Sequence, residues 1–204
     1  MTTAFLLQGF STDRTFADPS LDILRETMAE HDVELHGVVD GWEDHGIRSF
    51  GRCAIEQNQY HEYDGIFIGH SLGALAALSV VDVMPVQHLV LCSPSALFSE
   101  DIYSKLDPSV ANRIGKKRVK ELSSFSADDA VLSVNRLGIP TTILFGERER
   151  ELHPQLVARC GNLASRIAGA TLLEVPGAEH SIGEIPYAVV LSQVVSNIAR
   201  GLKS

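Results

Sequence analysis

Short apolar runs alternate with longer stretches of helical periodicity along almost the whole chain, and few architectures can accommodate that rhythm. The runs at 4–8, 33–39, 65–69, 87–92, 140–145 and 170–175 read as strands; within the third, Ile66, Phe67 and Ile68 follow one another with no polar break. The stretches 20–30, 47–60, 72–83, 152–167 and 185–202 read as helices, the first by its apolar stripe of Leu21, Leu24 and Met28. Strands that are apolar at every position are buried on both faces, which is the condition of a parallel sheet covered by helices. Right-handed crossovers then distribute the helices over the two faces. The expected fold class is α/β: a three-layer α/β/α sandwich with a mostly or fully parallel sheet of about six strands, residues 1–204 forming one domain. The segment 93–137 breaks the rhythm. At about 45 residues it is too long for a simple crossover, and it is expected to be a small cap-like insertion after the fourth strand.

Charge and cysteine usage narrow the function classes. A formal net charge of −9 lacks the basic excess of a nucleic-acid binder, so no nucleic-acid partner is expected. No apolar run approaches the roughly 20 residues that span a bilayer, and the opening residues Met1 to Gly9 carry no basic region of a secretory signal. Cys53, Cys92 and Cys160 are odd in number and widely spaced, which fits reduced thiols and a cytoplasmic location better than disulfides or a metal site. Asp40, Glu43, Asp44 and His45 surround Trp42 without a fixed ligand spacing and read as a polar loop. Neither a metal nor an organic cofactor is expected. Oligomeric state is not legible.

The chemistry-bearing pattern is Gly69-His70-Ser71-Leu72-Gly73, a G-x-S-x-G sequence directly after the strand at 65–69 and directly before the Ala- and Leu-rich stretch 72–83. A serine on such a strand–turn–helix elbow is pushed out at the top of a sheet, with the helix N-terminus beside any negative charge that forms on the attacked carbonyl. Ser71 is therefore the candidate nucleophile. A serine hydroxyl needs a base, and in this arrangement the chain order is serine, acid, histidine. His88 begins a strand, at the wrong edge of the sheet, and His153 begins a helix. His180, in the loop Pro176-Gly177-Ala178-Glu179-His180-Ser181 after the last strand, is the candidate base. The acid is sought after the strand 140–145, in Gly146-Glu147-Arg148-Glu149-Arg150-Glu151; Glu149 is preferred and Glu147 is the alternative. The carboxylates not used are expected to pair with Arg148 and Arg150 in a solvated turn. Two N–H donors are needed for an oxyanion, and Leu72 and Phe10 are the candidates, Gly9 letting the first loop approach. Phe10, Phe16, Leu97 and Phe98 could line an acyl pocket or equally pack in the core. The basic run Lys116, Lys117, Arg118 and Lys120 is either a solvated helix face or an attraction for an acidic substrate.

Through Gly69-His70-Ser71-Leu72-Gly73, Phe145-Gly146-Glu147-Arg148-Glu149 and Pro176-Gly177-Ala178-Glu179-His180, the chain resembles the α/β-hydrolase superfamily over nearly its whole length. Many relatives place the acid three residues after the glycine of the second motif, which is Glu149 here. The resemblance implies a compact six-stranded form that begins at the strand usually third. It also implies a serine hydrolase acting on a carboxylic ester or thioester of a small-molecule acyl substrate through an acyl-enzyme. An amidase or peptidase, a C–C hydrolase or an acyltransferase would share the machinery. A non-catalytic ligand-binding or interaction protein on the same scaffold is the alternative of a different class.

Overall fold

The computed structural model describes residues 2–10, 16–39, 41–43, 45–58, 65–96, 98, 108–122 and 127–202. The apolar runs form six strands: β1 (Thr2–Leu7), β2 (Val33–Gly37), β3 (Ile66–His70), β4 (His88–Cys92), β5 (Thr141–Gly146) and β6 (Thr171–Val175). They make one sheet in the order β2-β1-β3-β4-β5-β6, and every neighbouring pair is parallel. Between them run α1 (Asp22–Glu30), α2 (Ile47–Asn58), α3 (Leu72–Leu78), α4 (Pro108–Leu122), α5 (Ala127–Leu137), α6 (Glu149–Leu152), α7 (Pro154–Arg166) and α8 (Ile185–Leu202).

Strand periodicity sends alternate residues to two separate cores. Phe5, Leu7, Phe67, Leu89, Leu91, Ile143 and Phe145 face a layer built on α2, α3, α5 and α7, which contribute Phe50, Leu75, Val131 and Leu163. Ala4, Leu6, Ile66, Ile68, Val90, Cys92 and Leu144 face α1 and α8, which contribute Leu24, Met28, Tyr187 and Leu191. Both faces are dry, which is why these strands show no polar alternation. The expected three-layer parallel sandwich is the observed one. Among the described residues no helix is long and apolar enough to cross a membrane.

Two helices differ from their expected extent. The helix expected over 72–83 ends at Leu78, and residues 79–84 continue in turns, with Val80 N–H on the Ala77 carbonyl and Val83 N–H on the Val80 carbonyl. Val80, Val81 and Val83 are β-branched and stiff, and the segment carries few strong helix formers after Leu78. The helix expected over 152–167 is two, α6 and α7. Pro154 forces His153 out of the helical region, to φ −140° and ψ 55°. In the segment 93–137, α5 buries Ala127, Ala130, Val131 and Val134 in the same core as α3. The helical path of α4 is interrupted at Gly115, with φ 79° and ψ 158°.

The chain leaves β1 for β2 on one side and returns to β3 on the other, so the strand order reverses between β1 and β3. Loops leaving the C-terminal ends of strands at such a reversal diverge and leave a crevice. Residues 8–10 follow β1 there, and Ser71 follows β3.

Candidate active site

Ser71 stands between β3 and α3 with φ 53° and ψ −116°. That region costs a non-glycine residue about 1–3 kcal/mol and persists only where the surroundings enforce it. The enforcement is visible. Ser71 N–H extends the β3–β4 ladder to the Cys92 carbonyl at 2.8 Å, and α3 starts at the next residue. A side chain at Gly69 would stand 2.5 Å from Ala74 Cα, and one at Gly73 would collide with the Leu7 and Gln8 carbonyl oxygens. The two glycines of the motif thus let α3 lie directly against β3 and the end of β1. Gly73→Ala is expected to push α3 off β1 and lower stability by about 1–3 kcal/mol, the usual cost of overpacking, read as a fall in the denaturation midpoint.

The sequence placed its candidate base and acid in loops 31 residues apart; the fold brings both to Ser71. His180 Nε2 lies 2.9 Å from Ser71 Oγ, and His180 Nδ1 lies 2.5 Å from Glu149 Oε1. Glu149 has no exposed surface. Its second oxygen, Oε2, accepts from the Ser93 hydroxyl and the Gly146 N–H, each at 2.7 Å. Burial by itself raises this carboxyl, but the hydrogen bonds from His180, Ser93 and Gly146 outweigh it and the net shift is downward. An ionised carboxylate only accepts, so Nδ1 carries the imidazole proton and Nε2 turns its lone pair to Ser71. The arrangement can therefore take the Ser71 proton and stabilise the imidazolium that results.

Glu147 lies elsewhere. It is exposed, and it accepts from the Gly177 N–H at 2.8 Å, bracing the turn after β6. The two arginines of this segment do not pair with its spare carboxylates, as the sequence suggested; they cross to other elements. Arg148 pairs with Glu179 at 2.6 Å, and Arg150 with Glu174 on β6.

Three supporting residues were missed by sequence reasoning. Ser93, just past β4, is buried and has φ 45°. It lies 3.2 Å from the buried Tyr187 hydroxyl; because Ser93 donates to Glu149, Tyr187 donates to Ser93. Tyr187 comes from α8, so a second element stands behind the Ser93 hydroxyl that holds the carboxylate. His70 stacks obliquely on His180, 5.0 Å between ring centres, and its Nε2–H donates to the His180 backbone carbonyl at 2.8 Å. Burial, and then the neighbouring His180, drive the His70 imidazole down to about 3, so it stays neutral and acts as a fixed donor. The only local signal was that His70 shares the motif with Ser71. His153 adds an edge contact to His180 at 5.9 Å.

The first loop reaches the same place. A side chain at Gly9 would lie 3.3 Å from Ser71 Cβ and 2.6 Å from His70 Nδ1, so the chain at Gly9 passes close against the elbow. Leu72 is the first residue of α3, and its N–H is among those without an intrahelical acceptor. Phe10 stands edge-on to Trp42 at 5.9 Å, and Trp42 Nε1–H donates to the Gln8 carbonyl. The remaining pocket candidates diverge. Phe16 packs on Gly37 and beneath Arg25, and Phe98 is fully buried under Arg166, 4.1 Å from its ring centre. Leu97 lies outside the described residues, as do Asp40 and Asp44 of the acidic loop. Trp42 of that loop is fully buried and stacked on Phe50.

No family model matches the chain, and no curated protein matches it in sequence. Solved structures do match its fold. The esterase domain of a Rhodothermus marinus protein superposes with a TM-score of 0.69 at 16% identity, over 98% of this chain and 86% of that one. Est1E from Butyrivibrio proteoclasticus also gives 0.69, at 18% identity over 98% and 88% of the two chains. MGS-MChE2, an alpha/beta hydrolase enzyme from the metagenome of lagoon sediments of Mar Chica, Morocco, gives 0.65 at 19% identity over 100% and 92%. At these identities the likeness is one of fold.

Proposed function

Taking as premise that the chain has the α/β-hydrolase fold, we propose that it is a serine hydrolase that cleaves a carboxylic ester or thioester through an acyl-enzyme, residues 1–204 acting as one domain. The observation that carries this reading is the unbroken hydrogen-bond chain from Ser71 Oγ through His180 to the buried Glu149. The esterases among the structural neighbours agree with it.

In this mechanism Ser71 Oγ attacks the substrate carbonyl carbon while its proton passes to His180 Nε2. Glu149, held by Ser93 and Gly146, keeps the Nδ1 proton in place and balances the imidazolium charge. The N–H groups of Leu72 and Phe10 receive the oxyanion at the N-terminus of α3. His180 then returns the proton to the leaving oxygen or sulfur, and water releases the acyl group by the same steps in reverse roles. The direct test is a fluorophosphonate probe. Covalent labelling that requires Ser71 supports the reading; an inert Ser71 in folded protein points instead to a binding module on this scaffold.

The support around Glu149 makes its own prediction. Ser93→Ala removes one of three hydrogen bonds to the carboxylate and strands the buried Tyr187 hydroxyl. It is expected to lower kcat by roughly 10-fold with little change in KM, and to destabilise the fold by about 1–3 kcal/mol, the cost of an unsatisfied buried polar group. Steady-state kinetics and denaturant melts read both.

Acid stability follows from His70 and Glu149. A half-buried imidazole lowered to about 3 stays unprotonated while its unfolded counterpart takes up a proton near the ordinary value of about 6.5. Its contribution is complete above that value and is lost as pH falls toward 3. Glu149, also lowered, contributes above its unfolded pKa and loses this on the same acid side. Stability is therefore expected to fall below pH ~6.5, by up to about 1.4 kcal/mol per pH unit for each proton taken up on unfolding. Chemical denaturation across the acid range checks it; His70→Gln should flatten the upper part of the slope.

A further inference from the structure

Arg118 is the one buried arginine among the described residues, and its place bears on the substrate. Arg25, Arg148, Arg150 and Arg166 each pair with a carboxylate, Asp22, Glu179, Glu174 and Asp128 in turn. Among the described residues Arg118 has no carboxylate within ion-pair distance. One terminal nitrogen donates to the Ile114 carbonyl at 3.0 Å, the other to the Glu43 carbonyl at 3.4 Å, and the buried Nε has no acceptor among the described residues. Glu121, one turn on, exerts a field on it but is engaged at the Ile47 N–H. A buried cation on which a neighbouring carboxylate acts only through space is costly, and a hydrogen-bonded anion would offset that cost.

The guanidinium lies over the Phe10 ring, 4.6 Å from its centre, and 5.8 Å from the Trp42 ring centre. Stacking offsets part of the desolvation, and it also fixes the position. Phe10 follows Gly9, where an added side chain would meet Ser71 and His70. The aromatic ring next to Gly9 is therefore what Arg118 covers. In a chain of net charge −9, an anionic substrate is repelled by the surface at large and needs a local cation to be held.

We infer that Arg118 is a substrate-binding residue that receives an anionic group, a carboxylate or phosphate, carried by the ester or thioester whose carbonyl Ser71 attacks. This rests on the hydrolase reading above. Which side of the scissile bond bears the anion sets two arms of the test. Three chromogenic esters suffice: p-nitrophenyl valerate, neutral; mono-p-nitrophenyl glutarate, with a carboxylate on the acyl side; and 3-carboxy-4-nitrophenyl valerate, with a carboxylate on the leaving group. The ratio of kcat/KM for the preferred anionic ester to that for the neutral one is expected to fall about 10- to 100-fold in Arg118→Met, the range of a charge-assisted hydrogen bond. Arg118→Lys should recover part of that ratio. In wild type the ratio should also decline as salt is raised, a measurement that does not depend on any variant folding. If both ratios stay within about threefold in Arg118→Met, or if the wild-type ratios ignore salt, Arg118 is only a pin between α4 and the first loop and the inference falls. A wild type that neither turns over the neutral ester nor labels with a fluorophosphonate overturns the hydrolase reading itself.

Discussion

Ser71→Ala is expected to lower kcat on a short p-nitrophenyl ester by on the order of 10⁶ while leaving the protein folded. The size follows from what the hydroxyl does. Without Oγ no acyl-enzyme forms, His180 has no proton to take at 2.9 Å, and the remaining rate comes only from N–H donors holding a substrate for attack by water. The fold should tolerate the change. Alanine at φ 53° is no more strained than serine, and the lost hydrogen bond contributes about 0.5–1.5 kcal/mol. Denaturation should therefore shift little while labelling by a fluorophosphonate disappears. Turnover by folded Ser71→Ala at the wild-type rate would remove Ser71 from the reaction.

The residues that sequence could reach and those that it could not differ by the range of the interactions involved. The sheet was legible because its central strands, β1, β3, β4 and β5, are buried on both sides and write near-continuous apolar runs, while the edge strands β2 and β6 are partly exposed and carry Glu34, His36 and Glu174. Ser71 was legible because the elbow is local: two glycines, a strand before and a helix after lie within a few residues. His180 was reachable because strand ends at one edge of a parallel sheet converge. Ser93 and Tyr187 were not reachable. They are 94 residues apart, each is an ordinary polar residue in its own segment, and they gain meaning only when the first turn of α8 brings Tyr187 to the residue after β4. The pairing of Arg148 and Arg150 failed for the same reason, since their carboxylates come from β6 and the loop after it. Where α3 stops is decided by three valines, a local cause that opposes the apolar content of the stretch.

Glu149→Gln separates the two glutamates and should lower kcat by roughly 10⁴, the cost of presenting the wrong imidazole tautomer. The hydrogen-bond inventory fixes why an amide of nearly identical shape cannot substitute. Oε2 receives two donors, Ser93 Oγ and Gly146 N–H, at 2.7 Å, so that position demands an acceptor. Placing the amide oxygen there turns the NH₂ toward His180 Nδ1. The imidazole then carries its proton on Nε2, facing Ser71, and cannot take another from Oγ. The opposite amide orientation keeps the tautomer but sets NH₂ against two donors in a site with no exposed surface, which costs about 1–3 kcal/mol for each group left unsatisfied. Either way the variant should label slowly with a fluorophosphonate even though Ser71 is intact. Glu147→Gln serves as the comparison. Glu147 accepts only from the Gly177 N–H in an exposed turn, and Gln retains an oxygen for that bond, so kcat should fall less than about threefold. If Glu147→Gln gives the larger loss, the acid has been assigned to the wrong glutamate.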